Sequence, residues 1–315
     1  MASEARAAES GRAQTGGGAW FPSWFWPSFA APASIWLILL FIVPFYVILS
    51  IAFGGVDPIF LTPQPVYNPI GWDPSSFTHV ASQFVTAGSI YQRALFHTVV
   101  FVAIATMICL LIGYPVAYFI ARHAGRFRAV FLVALIAPFW ISYMMRMLAW
   151  INLLQPDGYV DQVLQRLGIV DAPVQWLNGK PLTVILGLAY GYVPFMILPL
   201  FAMLDRIPAS SLEAAHDLGA GPAATFRRVT LPLSRQAILA GIVIVMLPMF
   251  GDYYTTSLLA STRNTSMIGT LIVSSMGSSL VQEGASLVLL LLILLILPML
   301  YYLRSSSRAV QGATL

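Results

Sequence analysis

Two charged residues, Arg146 and Asp252, stand inside long apolar runs, where a charge is costly unless it is paired or put to use. Arg146 lies in PFWISYMMRMLAW, residues 138–150, and Asp252 in GDYYTT, residues 251–256. Both have aromatic neighbours, Trp140 and Tyr143 for the first, Tyr253 and Tyr254 for the second. Two chemistries are open: the charges pair and hold helices together, or they meet something that crosses the membrane. Other residue types offer less. The four histidines, His79, His97, His123 and His216, make no ligand spacing such as H-E-x-x-H, so no metal is expected. The lone Cys109 allows neither a disulfide nor a thiolate pair. Serines at 278, 279 and 286 have no His or carboxylate in the following run to activate them, which argues against a serine hydrolase. Gly179-Lys180 is followed by Pro181 and lacks the upstream glycine of a phosphate loop. No catalytic residue and no cofactor are expected, and any ATP hydrolysis must come from another chain.

The elements that carry these residues follow from composition. Of 315 residues 58% are hydrophobic and 9% charged, with a mean hydropathy of +0.81, outside the balance of a soluble domain. Net charge is +4, yet the basic residues are scattered between apolar runs, which reads as membrane topology and against nucleic acid. Runs long enough to cross a bilayer, about 20 residues each, lie near 30–53, 94–121, 129–154, 182–204, 237–259 and 285–303. Six transmembrane helices are expected, several bent at internal prolines such as Pro44, Pro115, Pro138 and Pro248. Arg6, Arg12, Arg122, Arg126, Arg128, Arg206, Arg227, Arg228, Arg235, Arg304 and Arg308 fall on one side of that topology. Arg93, Arg166, Lys180 and Arg263 fall on the other. The Arg/Lys excess marks the cytoplasmic side, so both termini and the loop 205–236 are expected there.

The implied organisation is a flexible cytoplasmic tail with an interfacial aromatic segment over 1–29, then a first span and outward loop over 30–93. A five-helix core follows over 94–304, and a cytoplasmic tail over 305–315. Gly, Ala, Ser and Arg dominate residues 1–19, and no A-x-A-like site follows the first run, so an uncleaved anchor is expected rather than a signal peptide. Two outward loops, 54–93 and 155–181, the latter with Asp157, Asp161 and Asp171, either dock an external partner or merely cap helix ends.

The loop 205–236 has signals of its own. Pro208 ends the fourth run, and Ser210 with Glu213 has the S-x-x-E form of a capping box. A short helix through Ala214, Ala215 and Leu218 would close at Gly219. Pro222 suits the first turn of a second short helix, which Leu231-Pro232 would end. Glu213-Ala214-Ala215, three residues, Gly219, nine residues, then Val229-Thr230-Leu231-Pro232 resembles the EAA loop of binding-protein-dependent ABC permeases at every spacing. Gln236 stands where members of that family often carry Pro.

The resemblance implies an all-α integral membrane protein with the type I ABC importer permease fold, in a bacterial inner membrane. The first short helix of the EAA loop would be the coupling helix that inserts into the ATPase. Glu213, Ala214, Ala215, Leu218, Gly219, Leu231 and Pro232 are its expected coupling residues. The small alanines permit close approach, and Gly219 permits the turn. Arg227, Arg228 and Arg235 read first as anchors at lipid headgroups. Implied partners are a cytoplasmic ABC ATPase dimer, a second and distinct permease subunit, an extracytoplasmic solute-binding protein and the lipid bilayer.

The runs around Arg146 and Asp252 further resemble the first permease subunit of spermidine/putrescine importers, and the similarity covers most of 94–303. A polyamine or similar cationic amine is the implied cargo. Asp252 would pair an ammonium, with Tyr253, Tyr254, Trp140 and Tyr143 offering ring faces. A fixed cation at Arg146 would repel such a cargo, and a structural role, with Asp252 pairing Arg146 or a group on a partner permease to hold the helices together, remains open beside it. The alternative cargo is another small polar solute such as an opine, an aminophosphonate or an amino-acid derivative. A channel or a membrane enzyme would leave the EAA loop unexplained.

Overall fold

The computed structural model describes residues 24–57, 59–60, 62–260, 262, 264–278 and 280–312. The expected flexible tail and the start of its aromatic segment, residues 1–23, lie outside the described residues, as do Arg263, Ser279 and the last three positions of the C-terminal tail. The chain divides into a unit ending at Ile48 and a unit running from Leu49 onward.

Long apolar runs give long helices because a helix satisfies every backbone polar group within its own segment, which hydrocarbon cannot do for it. Helix α1 (Phe25–Ala52) carries Pro32 and Pro44, and its apolar residues from Ile35 to Val43 are exposed. A small antiparallel pair follows, β1 (Gly55–Val56) and β2 (Pro63–Gln64), with Gly55 opposite Gln64. Next come α2 (Ser75–Val85) and α3 (Ile90–Arg122), whose N-cap Ser89 accepts the Gln92 N–H at 3.0 Å. The chain continues through α4 (Arg128–Ile136), α5 (Tyr143–Leu154), α6 (Tyr159–Arg166) and α7 (Pro181–Arg206). It ends with α8 (Ala209–Asp217), α9 (Pro222–Thr225), α10 (Leu231–Phe250), α11 (Tyr254–Leu259), α12 (Ile268–Met276) and α13 (Val281–Gly312).

The core sits where α3, α7 and α10 meet. Ala105 and Cys109 of α3, Leu188, Met196 and Leu200 of α7, and Val245 and Met249 of α10 are fully buried there. Among lipid tails helices associate through packing and close approach rather than through a hydrophobic drive between them, which suits this mixture of small and flexible side chains.

Among the described residues five helices are long and apolar enough to span a membrane, and a sixth span is broken. The expected single helix over 129–154 is two limbs, Gly125–Trp140 and Tyr143–Arg166, meeting at 88°. Ala137–Trp140 tightens into a 3₁₀ turn containing Pro138, and Ile141 is extended, so the helical ladder stops there. The expected fifth span over 237–259 also stops early. Helix α10 ends at Phe250, and the chain resumes helix only at Tyr254, leaving Asp252 in the break.

The loop between α7 and α10 departs from expectation twice. Helix α8 starts at Ala209 behind Pro208, and no side chain caps it, so Ser210 and Glu213 do not form the capping box. Pro208 takes the N-cap position, so Ser210 is the second helical residue and Glu213 lies further in. Nor does Leu231-Pro232 end the second short helix. Phe226–Thr230 forms one π turn, whose wider ring tolerates the missing Pro232 N–H, and α9 runs on into α10. The Gly219 break is present, at φ +79°, a left-handed conformation that Gly adopts without strain. In the loop 155–181 Asp161 is fully buried and accepts the Trp176 indole N–H at 2.8 Å, so it staples the loop and does not face outward.

Leu188 reports on this core. Leu188→Ala is expected to lower unfolding stability in detergent by about 2–5 kcal/mol, the range for an unfilled cavity. Leu111→Ala, at a position 66% exposed, is expected to change it by less than about 0.5 kcal/mol. Denaturant titration of the purified chain checks both.

Candidate functional site

The two helix breaks bring their residues together. Tyr143 opens α5 directly after the first break, and Asp252 sits in the second, with Thr255 in the first turn of α11. Tyr192 lies near the middle of α7, about 20 Å along the helix from Arg206. Asp252 is only 7% exposed. Its Oδ2 accepts the Tyr143 hydroxyl at 2.9 Å and the Tyr192 hydroxyl at 3.3 Å, and its Oδ1 accepts the Thr255 backbone N–H at 2.9 Å. Tyr143 has one proton to give, so the Thr255 hydroxyl, 2.6 Å away, donates to the Tyr143 oxygen. The Tyr143 ring lies hard against the α7 backbone at Gly191, where an added Cβ would come within 2.8 Å of it. Only the missing side chain allows this approach.

Tyrosine rings extend the cluster. Tyr143 is 6.3 Å from Tyr254 and 6.2 Å from Tyr192 between ring centroids, and Tyr253 and Tyr254 are 4.1 Å apart. Arg146, one helical turn beyond Tyr143, is 8% exposed. Its guanidinium lies 4.1 Å over the Phe139 ring and 5.2 Å from the Tyr143 ring. Among the described residues its Nε and Nη1 have no hydrogen-bond partner, and no ion pair joins it to Asp252. The acid is thus held by hydroxyls and a backbone amide, and the cation by ring faces.

Of the residues the sequence singles out, Tyr143, Arg146, Asp252, Tyr253 and Tyr254 come together. Trp140 does not: it is 80% exposed, and no ring contact links it to the cluster among the described residues. It closes the 3₁₀ turn that precedes the break. Tyr192 and Thr255 are not singled out by the sequence, although a hydroxyl-bearing ring inside an apolar run is the signal that would have found Tyr192.

The second group of expected site residues lies in the loop between α7 and α10. Glu213, Ala214 and Leu218 are exposed, Leu218 by 89%. Leu231 and Pro232 are exposed as well, just past the π turn.

Residues 111–310 match the family described as the binding-protein-dependent transport system inner membrane component. The chain belongs to that family. Within it, this permease is 37% identical over 183 residues to the spermidine/putrescine transport system permease protein PotB of Escherichia coli, covering 58% of this chain and 66% of the relative. It is 32% identical over 230 residues to PotB of Haemophilus influenzae, covering 72% and 75%. The inner membrane ABC transporter permease protein YdcU of Escherichia coli is 33% identical over 195 residues, covering 58% and 62%. The chain therefore spans just under two thirds of the length of the Escherichia coli PotB that it matches. A crystal structure of a bacterial alginate ABC transporter with its alginate-bound periplasmic protein shares the fold, with a TM-score of 0.70, 17% identity and coverage of 91% of this chain and 95% of that one. The MetNI methionine ABC transporter shares it more distantly, at a TM-score of 0.50 over 67% of this chain and 92% of that one. The permease is a multi-pass membrane protein of the type I importer fold.

The hydroxyl of Tyr143 both satisfies Asp252 and receives Thr255. Tyr143→Phe is expected to cost about 1–3 kcal/mol of stability, because it leaves a buried acceptor short of a donor. Trp140→Phe is expected to cost less than about 0.5 kcal/mol. Thermal unfolding of the purified chain in detergent separates the two.

Proposed function

We propose that this chain is the permease subunit of an ATP-driven importer of polyamines or similar cationic amines. The observation that carries the cargo is the buried carboxylate of Asp252 among tyrosine hydroxyls and rings, in a chain related to PotB proteins. An ammonium leaving water needs a charge partner, and a carboxylate ringed by aromatic faces supplies one while packing the methylenes of the amine. In the state described here Tyr143, Tyr192 and Thr255 hold that carboxylate, so an arriving ammonium would take the place of the hydroxyl donors.

In this reading both termini and the α7–α10 loop are cytoplasmic, as the arginine distribution supports. Exposed α8, with Glu213, Ala214, Ala215 and Leu218, docks into a separate ATPase dimer, and Gly219 lets it turn back toward the membrane. A second, distinct permease completes the pathway, and an extracytoplasmic binding protein delivers the amine. Nucleotide-driven closure of the ATPases moves α8 and switches the access of the site. The two unpartnered guanidinium nitrogens of buried Arg146, Nε and Nη1, favour a second reading of the cargo, a solute bearing an anionic group such as an opine or an aminophosphonate.

A thermal-shift screen on the cognate binding protein separates the readings: stabilisation by putrescine or spermidine supports the first, and stabilisation only by anionic or zwitterionic solutes replaces it with the second. Asp252→Asn is expected to cut amine uptake by about tenfold or more with normal protein level and ATPase activity; unchanged uptake of every amine would remove Asp252 from the pathway. Gly219→Asp is expected to abolish uptake with membrane insertion intact, since the left-handed turn is strained for any side chain; normal transport there would sink the coupling role of α8.

A further inference from the structure

The end of α3 grips the α7–α10 loop on both sides. At the entrance to the loop, Arg122 donates from Nη2 to the Ile207 carbonyl at 2.9 Å, and Arg128 pairs with Asp205 at 2.6 Å. Arg128 also donates to the Ala121 carbonyl at 3.2 Å, which ties that pair to the last turn of α3. At the exit, the Phe226 ring stands edge-on to Tyr114 and Tyr118, with centroids 5.6 and 6.1 Å away. The Tyr114 hydroxyl also bonds the Ser234 hydroxyl at 2.8 Å, just past the π turn.

Tyr114, Tyr118 and Arg122 follow one another at intervals of four, so they form one stripe on α3. Residues 208–225, with α8 in their midst, are therefore held at both ends by a single helix face. At its other end the same helix holds the segment that follows α11. Thr98 accepts the Ile268 N–H at 2.9 Å, and His97 Nδ1 lies 3.3 Å from the Ser266 carbonyl.

Resting on the reading of α8 as the coupling helix, we infer that α3 receives the coupling stroke, with Arg122, Arg128, Tyr114 and Tyr118 as positioning residues. Without the clasp, the left-handed turn at Gly219 and the π turn at 226–230 are flexible joints that would absorb a displacement of α8. With it, the displacement is passed to a helix that runs the length of the core and ends beside the segment next to the Asp252 cluster. The Arg128–Asp205 pair is 40% and 34% exposed, so it adds little to folding stability. Its loss should show in coupling instead.

The test uses the complete transporter, this chain with its partner permease, ATPase and binding protein, in proteoliposomes, measuring amine taken up per ATP hydrolysed. Arg128→Glu and Asp205→Arg are each expected to assemble and hydrolyse ATP while lowering that ratio about fivefold or more, the lower end of a coupling free energy between sites. The double exchange of the two charges is expected to return the ratio to near the wild-type value, which a merely local structural defect would not do. Should either single variant fail to assemble, Arg122→Gln reads the same clasp through the Ile207 carbonyl and is expected to lower the ratio too. Wild-type ratios in the single variants, or no recovery in the exchange, overturn the proposal. Failure of the underlying reading looks different: Gly219→Asp would then transport normally, whereas failure of the clasp alone leaves Gly219→Asp inactive and the charge variants coupled.

Discussion

Hydrocarbon offers no hydrogen bonds, so a helix that breaks inside an apolar bundle must find partners within the protein for the groups it releases. Among the described residues one span is broken and the helix of another stops at Phe250, and a hydroxyl–carboxylate bond joins the two interruptions. Asp252, freed from the ladder after Phe250, turns its carboxylate to cap the Thr255 N–H and to accept the hydroxyl of Tyr143, the residue that opens the helix after the first break. Gly251 and Asp252 return their own N–H groups to the Pro248 and Met249 carbonyls. Tyr192 of the unbroken α7 closes the set. The start of α5, the seating of Tyr143 on Gly191 and the approach of α11 to α7 at Gly187 meet around this one buried carboxylate.

The two intramembrane charges are treated unequally. Asp252 has three donors, and Arg146 has ring faces but two nitrogens, Nε and Nη1, without acceptors among the described residues. A cation held on aromatic rings is stabilised less than one in an ion pair. Both groups touch Tyr143, the acid through its hydroxyl and the cation through its ring face. In the function we propose, an amine gains from Asp252 and is opposed by Arg146, and an anionic group experiences the reverse.

The sequence reveals most about features encoded locally and least about those encoded by contact. Six apolar runs and the twenty-position loop pattern are legible because partitioning and helix punctuation act residue by residue. Hydropathy is blind to where a ladder stops: ISYMM continues an apolar run whether or not it is helical, and Pro138 was the local sign of the break. The π turn before Pro232 is likewise invisible to a rule that reads Leu-Pro as an end. The partners of Asp252 lie 60 and 109 positions away in the chain; Tyr143 is legible beside Arg146, whereas tertiary packing alone selects Tyr192 from thirteen tyrosines. Trp140 is drawn in by adjacency in sequence, but it ends the 3₁₀ turn before the break and is exposed.

The most direct test of the central claim, that this chain moves an amine across a membrane on the work of a separate ATPase, is the accumulation of labelled spermidine by proteoliposomes holding the assembled transporter, with loaded binding protein outside and ATP enclosed within. Saturable accumulation against the gradient that stops when ATP is replaced by ADP is the predicted result. Spermidine movement independent of ATP, or ATP hydrolysis stimulated by the loaded binding protein with no spermidine entering, would contradict it.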